Sequence, residues 1–492
     1  RFRLEVPLAD LTASFKSLPL GESGQDRLIV RRTPGDRLRV DVGRPALVFA
    51  PNETLQFRVT PHLLELSPDT DVQYSVELID CYSNKAVSVV EKELLTNGDG
   101  ELGTLPTIAE KAPAAEGVYE YRLSLKHPEG FSSRLVSPLV SNKDLFVRKV
   151  QFVVVNPTAH GPDAKDWTEV AEIDPSNPKW WERLVRIPKL KMIPNFGEKP
   201  LGNDKAQFTA YQDGKLVELS ANGWQAYPLP VEHPHTPHVL EVEYPGDFEQ
   251  TLGISIVEAD ATGGVAPIGL DSGVDVPRVA VTDAAGWKRH RLVFWPRTRT
   301  PLVLLTNHRR DRGARFGKIR VLAGPSRLPP SLPVSATPAQ RLLVAYFDKP
   351  LFPENFSAPE ALDPATGRTL DDWVTFLDGG RRLVEYLKFV GYGGAVISLA
   401  CDGSAIYPSE HLSPTPKFDT GIFFNTGQDP IRKDVAELLF RLFDREGLKL
   451  IPAIQFASPL PELEMRKRRV DLDSEGIDLV GPGGTSWVHR NG

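Results

Sequence analysis

At 492 residues and 41% hydrophobic content the chain can bury several cores, and length alone sets an expectation of about three domains. This composition excludes a disordered protein. A formal net charge of −6, with lysine and arginine scattered along the chain, leaves no electrostatic footprint for nucleic acid.

The two cysteines, Cys81 and Cys401, fall in separate predicted domains, so no disulfide framework is expected. No apolar run reaches the roughly 18 residues of a membrane span. The chain opens at Arg1 with no charged-then-apolar export segment, and the natural start is expected upstream.

Residues 1–39 read as an N-terminal extension, either first strands or the tail of something upstream. Over 40–155 apolar residues recur with period two: Leu55, Phe57, Val59; Tyr74, Val76, Leu78; Tyr119, Tyr121, Leu123, Leu125. Turn signals at Asn97-Gly98-Asp99-Gly100 and Pro128-Glu129-Gly130 predict an immunoglobulin-like or fibronectin-like β-sandwich. Residues 156–202 read as an irregular connector. Its Trp180-Trp181 pair fits either a sugar-stacking platform or two rings packed under a loop, the second favoured by their apolar area.

Strands return over 203–323, at Trp224–Tyr227, His238–Tyr244, Thr251–Glu258, Trp287–Trp295, Pro301–Thr306 and Lys318–Leu322. Their even spacing predicts a jelly-roll-like β-sandwich, an architecture that carbohydrate-binding modules share. Trp224 and Trp287 are its candidate sugar-stacking residues. The histidines of His233-Pro234-His235-Thr236-Pro237-His238 lack a Cys or carboxylate partner at metal-site spacing, so a turn is expected and no metal. Residues 324–340, with repeated proline, read as a stiff linker.

From 341 the pattern changes to apolar, partly β-branched runs alternating with helix-period segments. The runs are Arg341–Asp348, Gly394–Ala400 and Leu448–Phe456. In one helix, predicted from Thr369 to Val390, Gly379-Gly380 is a potential break. The other carries Val435, Leu438, Leu439, Leu442 and Phe443 on one stripe, with Asp429 as N-cap, Pro430 as first helical residue and Gly447 as stop. This is the opening of a (β/α)8 TIM barrel, truncated, because a whole one needs about 250 residues.

In parallel barrels chemistry sits at the carboxyl ends of strands. Those ends present Asp348, then Asp402, Tyr407, Glu410 and His411, then Gln455. Each also has a plain structural reading as a helix cap or loop pin. Arg466-Lys467-Arg468-Arg469 stands alone and reads as a solvated loop. No phosphate-binding loop, dinucleotide fingerprint, nucleophile elbow or zinc-protease helix occurs, so no cofactor is expected.

The order of sandwich, jelly-roll-like module and barrel resembles the large multidomain proteins of planctomycete-type bacteria. Leu343–Asp348, Gly391–Val396 and Trp224–Pro230 carry the likeness, and the barrel is similar to the glycosyl-hydrolase-like family ten group. The resemblance implies a glycoside hydrolase acting on polysaccharide or oligosaccharide, outside a bacterial cell or on its surface. In the related barrels the two catalytic carboxylates follow strands four and seven, beyond Gly492. No catalytic residue is therefore assigned, the strand-end residues above would contact substrate, and this chain by itself is expected to hydrolyse nothing. The alternative is a non-catalytic surface protein that binds glycan through its sandwiches.

Overall fold

The computed structural model describes residues 5–13, 16–20, 26–30, 32, 35–44, 46–126, 145–158, 166–177, 201–203, 207–259, 265–278, 286–329, 342–358, 372–401, 404–410, 412–414 and 433–455. A short helix, α1 (Leu8–Ala13), leads into a hairpin of β1 (Lys16–Leu20) and β2 (Asp26–Val30).

The period-two segments then build the first β-sandwich. Its strands are β3 (Leu38–Asp41), β4 (Val48–Phe49), β5 (Thr54–Pro61), β6 (Asp71–Asp80), β7 (Lys85–Leu95), β8 (Ile108–Lys111), β9 (Gly117–Lys126) and β10 (Phe146–Val154). One sheet runs β4-β10-β9-β6-β7 and the other β3-β5-β8. Alternation in β5 sends Leu55, Phe57 and Val59 into the core and leaves Thr54, Gln56, Arg58 and Thr60 outside. Phe57 meets Tyr121 edge-on at 5.2 Å, and Phe49 meets Phe152 at 5.6 Å. β4 pairs parallel to β10, while the other pairs of this sheet are antiparallel. β7 is a long edge strand, with Val87, Val89 and Val90 more than half exposed. A bulge beside Leu78 and the alternating charges Glu91, Lys92 and Glu93 blunt that edge against pairing with another chain.

The second sandwich comprises β11 (Thr168–Ile173), β12 (Leu201–Gly202), β13 (Gln207–Tyr211), β14 (Gly214–Leu219), β15 (Trp224–Pro228), β16 (His238–Pro245), β17 (Gln250–Ala259), β18 (Val265–Val276), β19 (Trp287–Phe294), β20 (Leu302–Asn307), β21 (Ala314–Phe316) and β22 (Ile319–Ala323). A sheet β11-β22-β16-β19 faces a sheet β12-β15-β20-β17-β18, and β13-β14-β21 forms a third. Leu240, Val242, Leu252, Ile254, Phe294, Val303, Leu305, Phe316 and Val321 are buried in one core. Residues 168–173 were expected in an irregular connector, yet they pair antiparallel with β22. As an edge strand, β11 gets its order from the neighbour and shows little apolar alternation of its own.

The third unit is α/β. Strands β23 (Val344–Phe347), β24 (Gly394–Cys401) and β27 (Lys449–Ile454) pair in parallel, with β24 central. Two short strands, β25 (Ser404–Ala405) and β26 (Ser413–Pro414), extend the sheet beyond the end of β24. The helices are α2 (Phe352–Asn355), α3 (Trp373–Val390) and α4 (Val435–Glu446). Among the described residues these elements form an open sheet and no closed barrel. One sheet face packs on the helices through Ala345, Ala395, Ile397, Leu399 and Leu450. Tyr346 (66% exposed) and Ile451 lie on the uncovered face.

Three helix expectations are corrected. Gly379-Gly380 does not break α3. A Cβ on Gly379 would sit 2.8 Å from the Pro353 backbone, and one on Gly380 would sit 2.7 Å from Leu442, so the pair lets α2 and α4 approach closely. The described helix α3 starts at Trp373, because the Asp372 carboxylate accepts the Thr375 N–H at 3.0 Å; Thr369 lies outside the described residues. Likewise Asp434, and not Asp429, caps α4 by accepting the Glu437 N–H at 3.0 Å; Asp429 and Pro430 also lie outside the described residues. Gly447 ends α4 in the left-handed region with φ 69°, as its position predicts.

Helix α3 is a strut between the two sandwiches. Toward the first, Arg381 and Arg445 both donate to Glu116, and Tyr82 donates to Asp378 at 2.7 Å. Toward the second, Phe389 meets Trp167 at 6.3 Å, and the Arg382 guanidinium lies 5.9 Å from the Trp295 ring. The proline-rich segment is no free spacer over residues 324–329: Leu328 is 4% exposed and joins the core that contains α3. No helix among the described residues is long and apolar enough to cross a membrane.

Candidate functional site

The strand-end rim is brought together only in part. Asp348, at the end of β23, is exposed, and its backbone carbonyl accepts a hydrogen bond from the Gln455 side-chain amide. Gln455 in turn donates its backbone N–H to Ala400 at 2.9 Å. The first and third strand ends are thus linked across β24. Tyr407 is half-buried against the helix-side core and Glu410 is exposed. Asp402 and His411 lie outside the described residues, as do Trp180, Trp181 and the basic run 466–469.

The two candidate stacking tryptophans stand on different sheets, Trp224 on β15 and Trp287 on β19. Trp224 is half-buried, and its backbone N–H is fixed by the Asn203 side chain at 2.8 Å. Trp287 sits in a richer setting. Its ring leans over Gly317, where a Cβ would come within 2.5 Å, and near Gly214, where one would come within 3.2 Å. The indole N–H points to Asp213 Oδ1 at 3.2 Å. Tyr211 meets the indole at 5.1 Å with the rings at 89°, a favourable edge-to-face geometry.

Tyr211 is itself held on both sides: its hydroxyl donates to Asp247 Oδ1 at 2.7 Å and accepts the Gly286 N–H at 3.0 Å. Burial and the Asp247 carboxylate push its phenol pKa up, so it stays a neutral donor. Three turns converge here. The β13–β14 hairpin turns at Gln212 (φ 47°) and Asp213, the β16–β17 turn supplies Asp247, and Gly286 (φ 118°) leads into β19. The result is a braced, half-exposed aromatic pair flanked by two carboxylates. Such a surface can offer an apolar ring to a sugar C–H face and acceptors to its hydroxyls.

Tyr211, Asp213 and Asp247 were not singled out in the sequence. The available signals were the turn strings Gln212-Asp213-Gly214 and Gly246-Asp247, which mark loops without saying that they meet. The His233–His238 segment is a loop entering β16: His238 is buried, with Nδ1 2.9 Å from the Thr236 carbonyl, and His233 is exposed. Among the described residues no three His, Cys, Asp or Glu side chains are grouped to hold a metal.

No protein-family model matches the chain, and no curated protein matches it. Solved structures give slight likenesses. The C-terminal CBM6 of a marine laminarinase from Zobellia galactanivorans aligns over 31% of this chain and 97% of its own, at 14% identity and TM-score 0.20. A CBM22-1 xylan-binding domain from Paenibacillus barcinonensis covers 33% and 98%, at 12% identity and TM-score 0.24. An isomalto-dextranase from Arthrobacter globiformis, complexed with panose, covers 56% and 35%, at 12% identity and TM-score 0.21. At such scores neither a fold assignment nor a ligand passes from those proteins to this chain.

Proposed function

We propose that this chain is part of a carbohydrate-directed protein and that its second sandwich grips glycan at the Tyr211–Trp287 edge. One observation carries the reading: a half-exposed tryptophan, braced by Gly317, Tyr211 and Asp213, beside a second carboxylate, Asp247. Fixing an aromatic ring in advance lowers the entropy lost when a pyranose stacks on it. Trp224 is the weaker stacking candidate, since among the described residues no aromatic ring meets it and no side-chain hydrogen bond holds its indole.

In the same proposal the three parallel strands open a (β/α)8 barrel of the glycosyl-hydrolase-like family ten type, in a protein that acts outside a bacterial cell or on its surface. Asp348, Asp402, Tyr407, Glu410 and Gln455 are its substrate-contacting residues, and the catalytic carboxylates belong to later strands of such a barrel. The parallel order β23-β24-β27 and the link between Asp348 and Gln455 support this placement. A non-catalytic glycan-binding protein is the second reading, supported by the same aromatic edge.

The test is retention of the whole chain on a panel of insoluble polysaccharides. Wild type is retained on at least one, Trp287→Ala is released, and Trp224→Ala stays bound. Absence of retention across the panel, or release by Trp224→Ala alone, overturns the assignment of the edge. Turnover of a glycoside by this chain would overturn the placement of the catalytic groups.

A further inference from the structure

On the sheet face that carries Trp287, carboxylates are answered by cations. Glu243 pairs with Arg289 at 3.5 Å and with Arg320 at 2.8 Å, Glu172 with Lys318 at 3.0 Å, and Glu241 with Arg291 at 2.6 Å. Cations of the neighbouring turns are spent as well: Arg315 pairs with Glu218 at 2.9 Å, and Arg309 and Arg312 share Glu249 and Asp311. The two carboxylates beside the aromatic pair differ. Asp213 and Asp247 are exposed and enter no ion pair among the described residues, and the adjoining lysines Lys215 and Lys288 close none on them. Each aspartate spends only Oδ1, Asp213 on the Trp287 indole N–H and Asp247 on the Tyr211 hydroxyl. Among the described residues both Oδ2 atoms stay open to a ligand.

We propose that this edge, taken as the glycan site assigned above, binds an amino sugar through its free ammonium, so that the polymer it grips carries unacetylated glucosamine-type residues. The Tyr211 and Trp287 rings stand at 89° and 5.1 Å, which makes a corner and not a flat platform, and the two unpaired carboxylates flank that corner. A cation is attracted to an aromatic face by the ring quadrupole, and indole attracts it most strongly. An ammonium also brings three N–H donors and no acceptor, matching open polar atoms that are carboxylate oxygens. A neutral hydroxyl can donate to the same oxygens but gains neither the charge attraction nor the ring attraction. A uronate brings like charge and is repelled. The contacts that fix Trp287 against Gly317 and Asp213 hold the corner ready before the ligand arrives.

Calorimetry on the full chain, at about pH 5.5 where an amine keeps its proton, compares two β-linked tetramers that share one backbone, glucosamine and N-acetylglucosamine. Wild type is expected to bind the glucosamine tetramer at least about fivefold more tightly. Asp213→Asn and Asp247→Asn each keep an acceptor oxygen for the indole or the phenol while removing the charge. Each should narrow the preference, the double variant should abolish it, and Trp287→Ala should lose both ligands. Equal affinity of wild type for the two tetramers overturns the proposal, and that comparison decides even where a variant fails to fold. A preference that survives in the double variant also overturns it, tracing the difference to the bulk of the acetyl group or to the net negative charge of the chain. Trp287-dependent retention on neutral polysaccharide without amine preference removes the charge selection and leaves the edge assignment standing. If no glycan binds in a Trp287-dependent way, both fall.

Discussion

The two sides of α3 shift a carboxylate in opposite directions. On the side of the first sandwich, Glu116 is 7% exposed and receives Arg381 at 2.7 Å and Arg445 at 2.8 Å, with a further bond from the Asn156 N–H. Burial by itself would raise its pKa, yet the two guanidiniums and that N–H more than offset it and hold Glu116 below the carboxylate range. On the other side Glu385 has arginines near it but none bonded to it, and burial wins. At Glu116 the charges of two close guanidiniums outweigh burial, whereas at Glu385 the Leu328 N–H and the nearby arginines do not.

The comparison breaks most sharply at Glu116. Replacing it by alanine removes the carboxylate that Arg445, 4% exposed, and the partly buried Arg381 share, leaving Arg445 with Glu446 at 2.9 Å and Arg381 with Asp378 at 3.6 Å. A loss of about 3 kcal/mol is expected, the lower end for a broken buried pair because Arg381 keeps some hydration. Urea denaturation should show it as a lower midpoint, and an unchanged midpoint would mean that solvent already screens the pair. Gly379→Ala comes next: the added Cβ meets the Pro353 backbone and should cost roughly 1–3 kcal/mol by the same assay. Asp372→Ala removes the buried cap of α3, with an expected cost of about 1–2 kcal/mol.

The two carboxylates also predict opposite limbs of a stability profile. Glu116 contributes stability that is present above its ordinary value of 4.5 and is lost as pH falls through its lowered pKa. Glu385 works the other way: its contribution is present below 4.5 and is lost as pH rises through about 7. Melting temperature measured across pH should show Glu116→Gln flattening the acid limb and Glu385→Gln removing the decline between about pH 4.5 and pH 7. A variant that shifts the whole curve without changing its shape would remove that residue from the explanation.

Local order was readable where one side of an element is dry and the other wet. The alternation of Leu55, Phe57 and Val59, and the stripe Val435, Leu438, Leu439, Leu442, Phe443, announce their elements because water does the sorting. What escaped depends on partners far away in the chain. The strand at 168–173 exists because β22 lies beside it. Gly379-Gly380 looks like a break until Pro353 and Leu442 are known to press on it. Repeated proline predicts a stiff linker but does not show that Leu328 is drawn into a core. For the candidate site, Trp287 was visible as an aromatic in a strand. Its supports, Tyr211, Asp213 and Asp247, come from turns whose convergence no spacing encodes. Trp224 looked equivalent until the strands were sorted into sheets.

The parallel pairing of β4 with β10 has a mechanical meaning. Val48 and Phe49 lie beside Val153 and Val154, with Val153 N–H donating to Leu47 and Val155 N–H donating to Phe49, each at 2.9 Å. Because the strands run the same way, tension applied through the two ends of the first sandwich drags them past each other. The bonds between them then carry the load together in shear instead of peeling one at a time, and side-by-side loading raises the force needed for rupture. Pulled between residues near 47 and 155, this module should hold to higher force than when pulled across an antiparallel hairpin such as β6–β7.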